Sequence, residues 1–280
     1  MSKPYCGLQN MRADSLQNWI EAQMMRGCYI FTKEDVTNLN VHNNKESLNK
    51  ALYRMQDKGV IMSPWKNFYV AIPMEYRLKG EVPPSFYIDH LMRFVGRDYY
   101  VSLLSAAMLN GAGHQRAMIF QVTVHGKQIR SAVKNGTLLD FNLKKELPTA
   151  YINKVKVQTG YMNVSSPELT ALDLVSQEEK VGGLSRVAEV LIELAERMKW
   201  DDSKLALLDY FNAPIVQRLG YLLDLIEETE LADDFMLLAK RAGKIVRKTR
   251  LKQSNPEVEG MEVDKKWKII INHEIETDEI

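Results

Sequence analysis

Cysteine is almost missing from this sequence, with only Cys6 and Cys28 among 280 residues. Two are too few for a disulfide framework, no C-x-x-C spacing offers a zinc or redox pair, and both read as free thiols. Glycine and proline are sparse at 15 and 9 positions, which excludes collagen-like and low-complexity chains. Long apolar runs are absent too. No window reaches the roughly 18 consecutive apolar residues of a membrane span, and the opening Met1–Ser15 lacks the apolar stretch of a signal peptide. A cytoplasmic location without a membrane partner is expected.

Signatures of catalysis are equally scarce. His42, His90, His114, His125 and His273 show no H-x-H or H-E-x-x-H spacing, and no phosphate-binding loop, G-x-G-x-x-G or G-x-S-x-G occurs. Glu178-Glu179-Lys180, with Asp173 upstream, superficially resembles the carboxylates of a metal-dependent nuclease. These residues sit in a helical pattern, where their charges are expected to face water. Asp201-Asp202 and Asp233-Asp234 read as helix starts, since negative charge is favoured at that end. No catalytic residue, metal or cofactor is therefore expected.

What is present is the material of about two globular domains, at the usual 150 or so residues each. Hydrophobic residues make up 45% and charged residues 26%, ample for two cores. The net charge of +1 conceals a partition. Residues 1–80 hold 11 basic and 7 acidic side chains and residues 81–160 hold 10 and 5, whereas residues 161–240 hold 7 and 16. The basic half suits a polyanion. The acidic half suits a protein or another cationic partner, or simply solubilises amphipathic helices.

The first eighty residues predict a winged helix-turn-helix. Leu16, Trp19, Ile20 and Met24 mark a helix ending near Gly27, followed by the short apolar piece Tyr29–Phe31. Thr32 and Asp35 form a near capping box for a second helix whose inward residues are Val36 and Leu39. Residues 40–43 read as the turn, and Asn43 or Asn44 as the cap of a third helix with Leu48, Ala51, Leu52 and Met55 inward and Gly59 past its end. Val60–Met62 and Phe68–Ile72 then flank a turn, Ser63–Asn67, as a hairpin. On the outer face of the third helix lie Asn44, Lys45, Ser47, Asn49, Lys50, Tyr53 and Arg54, with Lys66 at the hairpin tip. These side chains can read base edges or anchor phosphates in double-stranded DNA.

Leu78–Pro84 is expected to connect domain 1–80 to domain 85–280, because paired prolines favour extended backbone. The second domain is read as α+β, with a small sheet and a mostly helical C-terminal half. Helical stretches at Phe86–Val95 and Tyr99–Leu109 precede strands at Met118–Val124, Thr137–Leu143 and Tyr151–Val157, with Tyr161–Val164 a further candidate. Ser166-Pro167-Glu168 is a helix start, and residues from there to about 250 read as helical. Val187, Val190, Leu191 and Leu194 form one apolar stripe and Leu219, Leu222, Leu223 and Ile226 another, expected to pack together. Trp267–Ile271 is expected to return to the sheet as an added strand. A second basic tract contains Arg241, Lys244, Arg247, Lys248, Arg250 and Lys252, with no acid before Pro256. It reads either as a secondary patch for DNA backbone or, preferably, as charge neutralising the protein's own acidic helices.

Four motifs, in order along the chain, carry a family resemblance: Lys58-Gly59-Val60-Ile61 leading to Tyr69-Val70-Ala71; Tyr99 through Ala107; Val164-Ser165-Ser166-Pro167-Glu168 through Val175; and Trp267 through Asn272. Together they resemble the AbiEi antitoxins of bacterial type IV toxin-antitoxin systems, over nearly the whole chain. The family pattern usually has arginine after the Pro-Glu pair, where this sequence has Leu169. The resemblance implies a non-enzymatic abortive-infection (phage defence) protein with two jobs. Its winged helix represses its own operon at inverted repeats, and its C-terminal domain counteracts a nucleotidyltransferase-like toxin without needing a stable complex. The alternative is a winged-helix regulator outside any toxin system whose second domain senses a ligand.

Overall fold

In the computed structural model, residues 15–39, 44–113, 118–134 and 136–276 are described. The protein is α+β and divides into two compact units. The first takes in the described residues up to Tyr99 with 130–139 and 154–162, and the second takes in 100–129, 140–153 and 163 onward.

The first unit begins with α1 (Leu16–Met25), where the Ser15 hydroxyl accepts from the Asn18 amide at 3.2 Å. Leu16, Trp19 and Ile20 are buried as their spacing predicts. β1 (Ile30–Thr32) leads into α2 (Lys33–Thr37) through a complete capping box. The Asp35 amide donates to Thr32 Oγ1 at 3.2 Å, and the Thr32 amide donates to Asp35 Oδ2 at 2.7 Å. α3 (Lys45–Asp57) starts where Asn44 Oδ1 accepts from the Ser47 amide at 2.8 Å. Its inward residues Leu48, Leu52 and Met55 join Trp19, Ile20 and Val36 in one core. Burying each large aliphatic side chain there contributes about 1.5–3 kcal/mol.

β2 (Ile61–Trp65) and β3 (Phe68–Ala71) complete a three-stranded antiparallel sheet in the order β1-β3-β2. This succession of helices and strands is that of a winged helix-turn-helix. The turn is tighter than the sequence predicts, because β2 runs on to Trp65 across a register shift between Met62 and Trp65. Pro64, which lacks an N–H, sits in that irregular stretch, where the lost ladder bond costs least. The Ser63 hydroxyl stays inside the hairpin, 2.9 Å from the Trp65 carbonyl and 3.1 Å from that of Phe68. Asn67 alone takes up the left-handed backbone, at φ 63°.

Beyond the wing, Pro84–Phe86 form a 3₁₀ turn, with Val82, Pro84 and Phe86 buried, and α4 (Ile88–Val95) follows. Tyr99–Leu109 is not one helix as predicted. Tyr99–Val101 form β4 and Leu103–Leu109 form α5, with Leu103 at φ 54° between them. An aromatic and β-branched triplet buried on every side favours strand over helix, and helical periodicity alone cannot detect that. β5 (Ile119–His125), β6 (Ala132–Lys134), β7 (Thr137–Lys144), β8 (Ile152–Val157) and β9 (Gly160–Ser165) give a six-stranded sheet in the order β6-β7-β5-β4-β9-β8. β6 has no counterpart in the sequence reading; it is three residues long, too short for an alternation to show.

The second unit continues with α6 (Pro167–Ser176), α7 (Leu184–Ala195), a 3₁₀ stretch Asp202–Tyr210, α8 (Ala213–Leu225) and α9 (Thr229–Arg241). The stripes on α7 and α8 share one core as expected. Asp201 caps its 3₁₀ helix, but Asp233-Asp234 lie inside α9 rather than at its start. The terminal run does not return to the large sheet. β12 (Ile269–Ile270) pairs parallel with β10 (Thr249–Arg250) and antiparallel with β11 (Val263–Asp264) in a separate sheet. The reason lies in Trp267, which is fully buried on α8. A Cβ at Gly220 would lie 2.2 Å from its ring, so only glycine permits the approach. Asp224 accepts from the Trp267 indole at 2.5 Å and, with Asp233, from Lys266 Nζ at 2.7 Å.

Cys28 is disulfide-bonded, which overturns the free-thiol reading for that residue. Sequence spacing does not report thiol proximity. Cys6, like His42, His114 and the predicted turn 40–43, lies outside the described residues.

Candidate functional site

The outer face of α3 is built as a projection from a fixed core. Asn44, Lys45, Asn49, Lys50, Tyr53 and Arg54 are exposed and Ser47 is half-buried, while Tyr53, at 69% exposure, is an aromatic left in solvent. Asn44 spends its side-chain oxygen on the helix cap, so its role in positioning α3 is already set. Lys50 Nζ lies 2.8 Å from Glu46 Oε1, a fully surface pair of small energetic worth that a phosphate could replace. Lys66 is exposed beside Asn67 at the tip of the wing. Both α3 and the hairpin tip therefore present exposed cations.

In the second unit the polar residues behave differently. α6 is buried from Glu168 to Val175, on all faces. Asp173, expected to face water, is buried, accepting from the Tyr100 hydroxyl at 2.8 Å and pairing with Lys144 Nζ at 2.9 Å. Burial, then the Asp173 charge and hydrogen bond, push the Tyr100 phenol well above its ordinary value. Lys144 also lies over the Phe211 ring, 4.2 Å from its centre. Glu168 is buried too, and its carboxylate takes the Ser166 hydroxyl at 2.8 Å, the Lys199 amide at 3.1 Å and Lys204 Nζ at 3.3 Å. The Ser-Pro-Glu motif thus anchors the 3₁₀ stretch to α6. Leu169, where the family pattern has arginine, is wholly inside the core.

Glu178 is likewise buried rather than solvated, at 9% exposure, and Lys180 donates to Asn142. The sequence reading missed this because α6 has no polar face for helical periodicity to reveal, and in the short turn after it Glu178 is buried between exposed neighbours, Ser176, Glu179 and Lys180. Asp173 and Glu178 do not form a metal-binding set; among the described residues no three His, Cys, Asp or Glu side chains converge.

The second basic tract separates into individual roles. Arg241 pairs with Asp202, as the charge-neutralising reading expects, and Lys244 Nζ donates to the Phe211 carbonyl at 2.8 Å. Lys248 is exposed. Arg247 and Arg250 instead line a cavity of about 400 Å³ together with Arg218, Asn212, Thr249 and Gln253. Two successive residues of α8 hold this wall in place. Gln217 donates to the carbonyls of Arg247 and Trp267 at 3.0 and 2.7 Å, and Arg218 Nε donates to the Arg250 carbonyl at 2.9 Å. Burial pushes the Arg218 guanidinium below its ordinary value, with Glu178 opposing and Arg250 reinforcing that shift.

Residues 100–225, from β4 through α8, match the family model of the AbiEi antitoxin C-terminal domain. No curated protein matches the sequence. Among solved structures it is similar to the crystal structure of the Rv2827c protein from Mycobacterium tuberculosis, at 16% identity and a TM-score of 0.65, covering 90% of this chain and 89% of that one. At that identity the likeness speaks for the fold. Among the described residues, no helix is long and apolar enough to cross a membrane.

Proposed function

We propose that this protein is an AbiEi-family DNA-binding autorepressor and the antitoxin of a type IV system. Residues 1–80 bind inverted repeats upstream of its own operon, and residues 85–280 counteract a nucleotidyltransferase-like toxin in the cytoplasm without a lasting complex. The observation that carries the first half is the outer face of α3. Lys45, Asn49, Lys50, Tyr53 and Arg54 stand exposed on a helix whose opposite face is core, a disposition that fits a major groove. Lys66 is placed for a phosphate or neighbouring groove. The antitoxin half rests on the family match at residues 100–225.

Fluorescence anisotropy on the upstream duplex, at several salt concentrations, tests the DNA half. Counterion release makes affinity fall steeply with salt. Replacing Lys50 and Arg54 together by alanine should weaken binding by about 1–3 kcal/mol for each base-reading side chain removed, or flatten the salt slope if these side chains hold phosphates. Unchanged binding and slope in the double variant would remove α3 from the interface. For the antitoxin half, the neighbouring toxin is co-expressed with the native chain and with the Lys50→Ala, Arg54→Ala chain. Rescue by both separates protection from repression, whereas rescue by the native chain alone would mean that protection works through repression.

A further inference from the structure

The cavity lined by Arg218, Arg247 and Arg250 adjoins a second one of about 450 Å³, and Ser176, Arg218 and Gln253 line both. The two lobes differ in chemistry. In the first, three guanidinium groups gather beside the start of α8, whose cap Asn212 also lines the lobe. None of the three forms an ion pair with a carboxylate among the described residues. Arg218 is only 7% exposed, so its charge lies buried beside the like charge of Arg250, and Glu178 opposes it from the neighbouring lobe without forming an ion pair. The second lobe is lined by Glu178, Glu179, Lys180 and Ser254. Glu178, nine-tenths buried, has one carboxylate oxygen, Oε2, without any hydrogen-bond partner. Buried carboxylate oxygens are almost always satisfied, so this one lacks a donor.

We infer that this two-lobed cleft binds a nucleoside monophosphate, its phosphoryl group among Arg218, Arg247 and Arg250 and its N–H or O–H donors at Glu178. Arginine's planar fork suits phosphate, and a helix start adds partial positive charge. Each lobe falls within the 300–1,000 Å³ usual for small ligands, as an order of magnitude. A DNA backbone fits less well, because a duplex phosphate cannot follow Arg218 into a recess. The inference does not depend on the DNA-binding or antitoxin reading.

Calorimetric titration of the full chain tests it, with the four ribonucleoside 5′-monophosphates, inorganic phosphate and the upstream duplex as separate probes. At least one nucleotide should bind one-to-one, about tenfold or more tighter than phosphate. Arg247→Ala, which removes an exposed guanidinium and leaves the Gln217 backbone bond available, should weaken nucleotide and phosphate alike by about tenfold. Glu178→Gln should weaken the nucleotide while leaving phosphate equal or tighter, because a negative charge beside the guanidinium group is gone. Melting curves establish that both variants are folded. Absence of binding by all four nucleotides overturns the inference. So does a Glu178→Gln effect of the same sign on nucleotide and phosphate, or an Arg247→Ala variant impaired for the duplex alone.

Discussion

α3 and α6 are both short helices rich in polar residues, and they use them in opposite ways. α3 keeps its charges in water, where the pair of Lys50 with Glu46 is a surface contact. α6 takes Glu168 and Asp173 into the core and links them to Ser166, Lys204, Tyr100 and Lys144. This contrast locates where substitution will be felt. Charges on α3 are open to a partner at little cost to the fold, and charges on α6 are part of the fold.

The contrast is tested most severely at Asp173. Asp173→Ala leaves Lys144 and the Tyr100 hydroxyl without their acceptor, and breaking a buried pair costs about 3–5 kcal/mol. Urea unfolding should show that loss, and a change of less than about 1 kcal/mol would mean that α6 tolerates its charges as α3 does. Asn44→Ala comes next, since it removes the α3 cap and should cost about 1 kcal/mol, read by thermal melting. The outer face of the same helix is the reverse case. Lys50→Ala with Arg54→Ala should leave stability in urea within about 0.5 kcal/mol of the native protein even where DNA affinity falls.

The smallest effect concerns pH. Burial lowers the His90 pKa from its ordinary 6.5, with the Thr159 carbonyl and Asp89 opposing and Arg93 reinforcing. As pH falls the unfolded chain takes the proton first, so the stability His90 contributes is complete above 6.5 and drains away as pH drops from there toward the folded value. The stability difference between the native protein and a His90→Gln variant should therefore shrink between pH 7.5 and about 5.5. A difference constant over that window would remove His90 as the cause.

How much was legible follows from the same contrast. In the first unit, caps and stripes are local signals, and Thr32 with Asp35, Asn44 with Ser47, and Leu48 with Leu52 do in the structure what their spacing implies. The exposed face of α3 could be read because a one-sided helix displays its partition in sequence. In the second unit the decisive relations are long-range. Asp173 meets Lys144 and Tyr100 across tens of residues, and Arg218 meets the 247–250 segment through a backbone carbonyl. Nothing in the spacing of these residues encodes such meetings. Ser166-Pro167-Glu168 was legible as a helix start but not as an anchor for Lys199 and Lys204. The two-residue strand β10, which captures the terminal run, is too short to leave a periodic trace.

The approach of Trp267 to Gly220 has a consequence for how relatives of this protein can diverge. With 2.2 Å between the ring and the place a Cβ would occupy, the two positions cannot drift independently. A lineage that acquires alanine at 220 while keeping the indole must pass through an overpacked intermediate, and one that loses the indole first passes through a cavity. Positions 220 and 267 should therefore covary as a pair, glycine with tryptophan and larger residues with smaller partners, while Leu219 and Leu222 vary more freely among aliphatics of similar volume.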